Sequence, residues 1–215
     1  MTLESLRVTE IFLSLQGESR TVGWPTAFVR LTGCPLRCSY CDTAYAFHGG
    51  MRLDMETVLQ QVKEYGVKHV TVTGGEPLAQ PPCLELLQRL ADQGYEVSVE
   101  TSGALDVSGV DPRVTKILDL KTPASGEMER NRYDNLEYLS PKDQVKFVIA
   151  NAGDYQWSRE MVSRYRLADR CDVLFSPVSG LLPPRDLADW ILRDRLPVRF
   201  QIQMHKLLWG DEPGR

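Results

Sequence analysis

Three cysteines lie close together in the sequence. Cys34 and Cys38 are separated by three residues, and Cys38 and Cys41 by two. Thiolates are the usual protein ligands of iron–sulfur clusters, and a four-iron cluster normally takes four of them. A triplet without a fourth cysteine nearby would hold three irons and leave the last iron to a small molecule. The spacing therefore predicts an iron–sulfur centre with one iron open for chemistry.

Zinc is the first alternative for these cysteines. Structural zinc takes four Cys or His ligands, often with two of them in a C-x2-C pair. Cys38 and Cys41 form such a pair, and His48 is the only imidazole near them in the sequence. A zinc-stabilised binding module without catalysis therefore stays open at this point.

The remaining cysteines argue against a disulfide framework. The chain has five cysteines, an odd number, and Cys83 and Cys171 stand alone among apolar residues. The sequence begins without an apolar stretch that resembles a signal peptide. Unpaired thiols of this kind are typical of a reducing compartment, so we expect a cytoplasmic protein.

The composition predicts a soluble globular domain. Of 215 residues, 42% are hydrophobic and 25% are charged, and no apolar run is long enough to span a bilayer. The net charge of -4 provides no basic surface of the kind that nucleic-acid binding needs. We therefore expect one domain over residues 1–215, with no nucleic-acid partner and no membrane partner.

Short apolar runs alternate with helical periodicity along the chain, which is the pattern of βαβ units. The predicted strands are Val8–Leu13, Ala27–Leu31, Val70–Thr73, Tyr95–Val99, Ile117–Leu120, Val145–Ile149, Val173–Phe175 and Val198–Ile202. The predicted helices follow Asp54, run from about Cys83 toward Gly94, and cover Tyr155–Arg166 and Asp186–Arg193. The stretch from Lys121 to Asp143 is polar and lacks a clear period, which predicts a long loop over a pocket.

This element pattern predicts an α/β fold. A complete eight-stranded βα barrel usually takes about 250 residues, so an incomplete barrel with a mostly parallel sheet is expected. Loops at the carboxyl ends of parallel strands gather at one rim of such a fold. The cysteine loop, about residues 33–50, follows one predicted strand, and Gly74–Pro77 and Glu100–Gly103 follow two others. We expect these three segments to form one site.

Two of the segments together resemble the radical S-adenosylmethionine (SAM) superfamily. They are the Cys-x3-Cys-x-Tyr-Cys string and the Gly-Gly-Glu-Pro turn that follows a later strand. The resemblance implies that Cys34, Cys38 and Cys41 hold a 4Fe–4S cluster whose fourth iron binds SAM. The residues it implies for SAM are Tyr40, Gly74, Gly75, Glu76, Ser102, Lys121 and Ser176. Lys142, in a Ser-Pro-Lys string, is the alternative to Lys121.

Within that superfamily the chain resembles the 7-carboxy-7-deazaguanine synthase family. Residues 10–18, residues 28–34, Cys41–Thr43 and Gln203–Lys206 carry this resemblance. It implies a carbon–nitrogen lyase that converts 6-carboxy-5,6,7,8-tetrahydropterin to 7-carboxy-7-deazaguanine with loss of ammonia, in deazapurine (queuosine) biosynthesis. The implied substrate residues are Leu15, Gln16, Gly17, Glu18, Arg30, Thr73 and His205, and the implied magnesium ligand is Thr43.

The residue types suit these implied roles. Glu18 can accept hydrogen bonds from the ring amide and amine of a guanine-like edge. Arg30 offers a planar fork that matches a carboxylate, although a surface ion pair is the plainer interpretation. His205 has a similarly plain alternative as an edge histidine. Asp42 competes with Thr43 for magnesium, since a carboxylate is the commoner ligand.

The resemblance also implies the mechanism and the partners. A reduced cluster cleaves SAM to a 5'-deoxyadenosyl radical, which takes a hydrogen atom from the substrate, so no side chain is needed as acid or base. The implied partners are a reducing protein such as a flavodoxin and a second copy of the chain in a homodimer. Another radical SAM enzyme, such as a glycyl-radical activase, is the alternative, and the Leu15–Glu18 segment argues against it.

Overall fold

The computed structural model describes residues 5–210, 212 and 214, so both ends of the expected domain lie outside the described residues. Nine strands are present in this part of the chain. They are β1 Ser5–Leu15, β2 Pro25–Leu31, β3 Met51–Asp54, β4 His69–Gly74, β5 Glu96–Thr101, β6 Thr115–Asp119, β7 Gln144–Ile149, β8 Asp172–Pro177 and β9 Arg199–Phe200.

All nine strands belong to one sheet with the order β3-β1-β2-β4-β5-β6-β7-β8-β9. The neighbours from β2 to β9 are parallel, whereas β1 is antiparallel to both β2 and β3. Because β3 and β9 remain as edges, the sheet does not close on itself. The expected α/β fold with an open, mostly parallel sheet is confirmed.

Five α-helices accompany the sheet within the described residues. They are α1 Met55–Glu64, α2 Pro82–Asp92, α3 Ala152–Arg164, α4 Pro184–Asp194 and α5 Met204–Trp209. Asp54 caps α1 by accepting from Thr57 N at 2.8 Å, and Asn151 caps α3 by accepting from Asp154 N at 3.0 Å. None of the helices that the structure describes is long and apolar enough to cross a bilayer.

Side-chain alternation along the parallel strands separates the core from the site. Successive residues of a strand point to opposite faces of the sheet. One face carries the fully buried Val70 and Val72 of β4 and Val99 of β5, which belong to the apolar core with the helices. The other face carries residues such as Thr73 and Glu100. The helix side of the strands therefore forms the apolar core, and the opposite side, which carries both polar and apolar residues, is available for a site.

Several elements differ from the sequence-based prediction, and helix α5, which was not predicted, is one of them. The edge strand β3 was not predicted, because it is largely exposed and carries no apolar run. Strand β9 covers two residues instead of Val198–Ile202. Helix α3 begins at Ala152, after the Asn151 cap, and not at Tyr155.

Candidate active site

A cavity of about 580 Å³ opens at the carboxyl ends of the parallel strands. Adjacent strands each contribute one polar side chain to its wall. These are Arg30 of β2, Thr73 of β4, Glu100 of β5, Asp119 of β6 and Lys146 of β7. The cysteine loop, the β1–β2 loop and α5 complete the lining.

The cavity brings together all but two of the residues predicted for the site. Those that line it are Leu15, Gln16, Gly17, Glu18, Arg30, Cys34, Cys38, Tyr40, Cys41, Thr43, Thr73, Gly74, Gly75, Ser102, Lys121 and His205. Lys142, the alternative to Lys121, donates instead to Val114 O at 2.9 Å, at the opposite end of the sheet. The two predicted residues that do not line the cavity are Glu76 and Ser176.

Glu76 lies beneath the cavity wall and is fully buried. Its carboxylate accepts hydrogen bonds from Leu78 N at 3.0 Å and Thr101 Oγ1 at 2.9 Å. It also accepts from Ser102 N at 2.7 Å and Ser102 Oγ at 2.5 Å. Glu76 therefore joins the Gly-Gly-Glu-Pro turn to the end of β5 and fixes the orientation of Ser102.

Ser176 is fully buried in β8, and Oγ has no hydrogen-bond partner within the described chain. The cavity is lined at this point by the residues that follow β8, namely Val178, Ser179 and Gly180. The structure thus brings the β8 end to the site, but through the loop after the strand.

The cysteine loop presents three unbridged thiols to the cavity. Arg37 holds the loop in shape by donating from Nη1 to Cys34 O at 2.7 Å and to Leu36 O at 2.6 Å. Burial raises the pKa of all three thiols, in the case of Cys38 to about 11, although the nearby Lys121 opposes this. Partly buried thiols of this kind become thiolates when a metal supplies the positive charge.

The two glycines before Glu76 let the second loop pack directly on the first. Gly74 has φ +155°, and a Cβ there would overlap with the backbone of Leu31. A Cβ on Gly75 would overlap with Gly33 O and Cys34 Cβ. Only glycine permits this approach, so backbone amides come close to the cysteines where a ligand of the cluster would lie.

The segment from Lys121 to Asp143 supports the cysteine loop from outside. It contains three short 3-10 turns, Pro123–Ser125, Met128–Arg130 and Tyr133–Tyr138. Ser39 N donates to Ser125 O at 2.9 Å, and Ser39 Oγ donates to Ala124 O at 2.7 Å. Only Lys121 of this segment lines the cavity. The segment, which the structure describes throughout, contains no α-helix or strand, so the prediction of a long loop is confirmed, but its predicted position over the pocket was wrong, because these residues pack behind the cysteines.

The β1–β2 loop forms the opposite side of the cavity. Gln16 Nε2 donates to Thr71 Oγ1 at 3.1 Å, and Gln16 Oε1 accepts from Glu18 N at 3.2 Å. Gly17 is in close contact with α5, since a Cβ there would lie 2.5 Å from His205 Nδ1. Burial lowers the pKa of His205. The loop thus places amide, carboxylate and imidazole groups together.

Arg30 forms an ion pair at the cavity wall. Its Nε donates to Glu10 Oε1 at 2.7 Å, and Tyr45 OH donates to the same oxygen at 2.8 Å. The guanidinium lies 5.5 Å from the Phe12 ring centroid. Because this ion pair uses only Nε, the two terminal nitrogens can still donate to a ligand carboxylate.

A network of charges across the cavity floor was not predicted from the sequence. Lys146 Nζ lies 2.5 Å from Glu18 Oε2 and 3.5 Å from Asp119 Oδ2, and Lys121 Nζ lies 3.1 Å from Asp119 Oδ2. Burial alone would lower the pKa of Lys146, but the surrounding carboxylates raise it well above its usual value. Burial raises the pKa of Glu100, which accepts from Thr73 Oγ1 at 3.0 Å.

Two side chains with oxygen donors, Thr43 and Asp42, follow Cys41 directly. Thr43 Oγ1 donates to Asp42 Oδ1 at 2.8 Å, and both residues line the cavity. Burial by itself would raise the pKa of Asp42, but the Thr43 hydrogen bond and the charges of Lys206 and Lys146 outweigh it, so the pKa is lowered. A hydroxyl and an ionised carboxylate are the hard ligands that magnesium prefers.

The thiols fit a cluster better than a zinc ion. Among residues 5–210, 212 and 214, no three His, Cys, Asp or Glu side chains are close enough to bind one metal ion. A zinc site requires ligands that converge on one ion, whereas three thiolates of a 4Fe–4S cluster each bind a different iron. His48, the imidazole nearest to the cysteines in the sequence, does not line the cavity.

Comparisons with known proteins agree with this geometry. Residues 28–122 match the Radical SAM superfamily. The chain is 45% identical to a 7-carboxy-7-deazaguanine synthase of Chlorobaculum tepidum over 210 residues, which cover 96% of each protein. It is 40% identical to a 7-carboxy-7-deazaguanine synthase of Koribacter versatilis, with 96% of this chain and 98% of the relative covered.

A solved structure supports the fold independently. The chain superposes on the crystal structure of QueE from Escherichia coli with a TM-score of 0.76, covering 94% of this chain and 95% of that one. The sequence identity in this comparison is 22%. At that identity the likeness concerns the fold alone.

Proposed function

This chain belongs to the 7-carboxy-7-deazaguanine synthase family of radical SAM enzymes, and we propose that it converts 6-carboxy-5,6,7,8-tetrahydropterin to 7-carboxy-7-deazaguanine with loss of ammonia. One observation carries this proposal. A single cavity has three thiols on one side and a polar set suited to a pterin on the other. Its volume of about 580 Å³ lies within the range of small-molecule sites.

The substrate side can bind both ends of this pterin. Glu18 and Gln16 can hold the pyrimidine edge, whose ring amide and exocyclic amine need acceptors. Arg30 can hold the substrate carboxylate through its terminal nitrogens, since its Nε is already bound to Glu10. Thr73 and His205 line the cavity near these groups and complete the substrate side.

Cys34, Cys38 and Cys41 would hold the 4Fe–4S cluster that membership of the superfamily implies. When bound, the cluster and SAM supply the radical that takes a hydrogen atom from the substrate. The Gly74–Gly75 backbone, the main chain of Tyr40, and the side chains of Ser102 and Lys121 would orient SAM. Glu76 would act through Ser102, because its carboxylate is fully used beneath the cavity wall. The protein's share is positioning and exclusion of water.

The proposal includes magnesium beside the cluster. Thr43 would be the protein ligand, with Asp42 as the neighbouring carboxylate. Magnesium keeps several waters and takes few protein ligands, so a hydroxyl plus substrate oxygens is a sufficient set. The ion would then orient the substrate carboxylate opposite Arg30.

The proposal also covers the setting in which the enzyme works. Residues 1–215 would form one radical SAM domain, acting in the cytoplasm as a homodimer. A small acidic electron carrier such as a flavodoxin would reduce the cluster. The reducing compartment agrees with unbridged thiols at all five cysteines.

The test is an anaerobic assay with reconstituted protein. Iron and sulfide are incorporated under argon, and the reduced protein is incubated with SAM, magnesium and carboxytetrahydropterin. We expect 7-carboxy-7-deazaguanine and ammonia, detected by mass spectrometry and an ammonia assay. A control without the pterin should give only slow SAM cleavage. If SAM is cleaved but the pterin remains unchanged, the proposed substrate is wrong.

A further inference from the structure

Lys146 is a buried lysine at the centre of the cavity wall. It lies in the middle of β7, between Val145 and Phe147, which are fully buried on the helix side of the sheet. Its Nζ lies 2.5 Å from Glu18 Oε2 and 3.5 Å from Asp119 Oδ2. A buried ammonium is costly unless it is paired, so these two carboxylates account for its presence.

Glu18 belongs to a loop whose main chain is fixed independently of Lys146. Ser19 N donates to Gln201 Oε1 at 2.8 Å, and Gln201 Nε2 donates to Ser19 O at 3.0 Å. Met204 N donates to Gly17 O at 3.1 Å. The loop backbone therefore has its own support, while the Glu18 carboxylate is held by the Lys146 ammonium.

Each element packed around Glu18 contributes a charged or titratable group. These are Lys146 from β7, Asp119 from β6, Glu100 from β5 and His205 from α5. Two of them are carboxyl groups. Burial lowers the pKa of His205, which favours the neutral imidazole. Lys146, whose Nζ lies 2.5 Å from Glu18 Oε2, directly balances the charge of Glu18.

The charge state of Glu18 decides whether it can bind the substrate. The pyrimidine edge of a pterin presents N–H donors, which require an acceptor. An ionised carboxylate accepts at both oxygens, whereas a protonated one turns one oxygen into a donor. Protonation of Glu18 would thus place a donor against a donor and weaken binding.

Resting on the function proposed above, we propose that Lys146 is a positioning residue that keeps Glu18 ionised and oriented toward the pyrimidine edge of the pterin. The geometry gives the lysine a second contact, with Asp119, which fixes the ammonium between two strands. Its role is exerted through Glu18 and not on the reacting carbon.

The first experiment compares Lys146→Met with Lys116→Met in the reconstituted enzyme. Lys116 is buried on the neighbouring strand and pairs with Asp143 at 3.2 Å, away from the cavity. In Lys146→Met we expect the KM for the pterin to rise roughly tenfold to a hundredfold, with the KM for SAM unchanged. Lys116→Met should lower thermal stability without changing either KM.

A pH series separates ionisation from packing. Without Lys146, the lysine that remains beside this network is Lys121, which pairs with Asp119 at 3.1 Å, so Glu18 loses its own counter-charge and protonation becomes easier. Raising the pH favours the carboxylate, so the ratio of the pterin KM in Lys146→Met to that in the unchanged enzyme should fall as the pH rises. Lys146→Gln, which keeps a donor for Glu18 but not the charge, should show the same trend if the Met variant folds poorly.

Lys146→Arg keeps the positive charge but changes the shape of the side chain. The pterin KM of this variant should rise, and the ratio of this KM to that of the unchanged enzyme should not depend on pH. The inference would be overturned if the pterin KM ratio of Lys146→Met or Lys146→Gln did not change with pH. It would also be overturned if Lys116→Met raised the pterin KM as much as Lys146→Met does. If the unchanged enzyme forms no deazaguanine, the proposed function fails instead, so the two failures are distinguishable.

Discussion

Two buried lysine–carboxylate pairs lie at opposite ends of strand β6, where it runs beside β7. At the amino end, Lys116 pairs with Asp143. Asp143 also accepts from Lys116 N at 2.7 Å, and from Ser140 N and Ser140 Oγ at 2.8 Å each. At the carboxyl end, Lys146 bridges Glu18 and Asp119, and Asp119 Oδ1 is buried without a hydrogen-bond partner in the part of the chain that the structure describes.

The two carboxylates, Asp143 and Asp119, therefore differ in how completely their oxygens are paired. Buried polar groups are normally hydrogen-bonded, and each exception calls for an explanation. Asp143 has protein donors at both oxygens, which is what a structural pair needs. Asp119 lines the cavity, and its Oδ1 has no donor within the described residues, so this oxygen can accept a hydrogen bond from a ligand. The comparison of these two carboxylates indicates that Asp119, unlike Asp143, has an oxygen available to a ligand, and it can be tested by mutation at both ends.

The largest effect is expected from Cys38→Ala at the carboxyl end. Loss of one of three thiolates should abolish SAM cleavage and the cluster absorbance, while circular dichroism of the apoprotein stays unchanged. Cys171→Ala removes a buried cysteine that does not line the cavity and is the matched control. It should retain the cluster and lose about 1 kcal/mol of stability at most. A Cys38→Ala protein that still cleaves SAM would refute the ligand assignment.

Arg30→Ala should lower kcat/KM for the pterin by roughly a hundredfold or more, because the substrate carboxylate loses a two-point partner. SAM cleavage should continue slowly without deazaguanine formation. Arg30→Lys should rescue little, since an ammonium cannot reproduce the fork. Arg20→Ala, which removes an exposed pair with Asp172, serves as control and should behave as the unchanged enzyme. Full product yield from Arg30→Ala would contradict this assignment.

At the amino end, Asp143→Ala should reduce stability by about 3 kcal/mol, because it leaves buried Lys116 without its carboxylate. Activity per folded molecule should be unchanged. Urea unfolding and the pterin KM are the two measurements. Lys142→Met, which loses a single bond to Val114 O, should cost less than about 1 kcal/mol. If Asp143→Ala changed the KM at full folding, the separation of the two ends would be refuted.

The smallest effect is expected from Glu76→Gln. This carboxylate lies at the carboxyl end but is saturated by four donors, so it should behave as support and not as a ligand. Glu76→Gln should raise the KM for SAM by about tenfold at most, through a displaced Ser102, and leave the pterin KM unchanged. Complete loss of SAM binding would indicate direct contact. Glu64→Gln, on the exposed side of α1, is the control.

Much of the site followed from the sequence because its residues stand next to strand ends. Thr73, Gly74 and Gly75 end a β-branched run, and the cysteines follow another. The carboxyl ends of parallel strands lie at the same edge of a sheet. The order of strands and helices in the sequence is therefore enough to predict that these segments meet. The resemblance then assigned roles that spacing alone left open.

Signals in the sequence are weaker for groups whose partners are far along the chain. Lys146 and Asp119 each interrupt an apolar run, and this interruption was the available signal for a polar wall. Neither residue reveals by itself that it pairs with Glu18 or Lys121. Glu76 looked like a ligand because Ser102, its partner 26 residues later, cannot be found without the packed structure. Helix α5 was missed because none of its residues is buried.

The bonds between Gly17 and Met204, and between Ser19 and Gln201, join the two ends of a long chain. During synthesis on a ribosome, every parallel strand can emerge before residues 201–209 do. A nascent chain could then acquire iron while the α5 side of its pocket is missing. Closing so long a loop is entropically costly, so completion of the pterin half is expected to be the final event in the maturation of this enzyme.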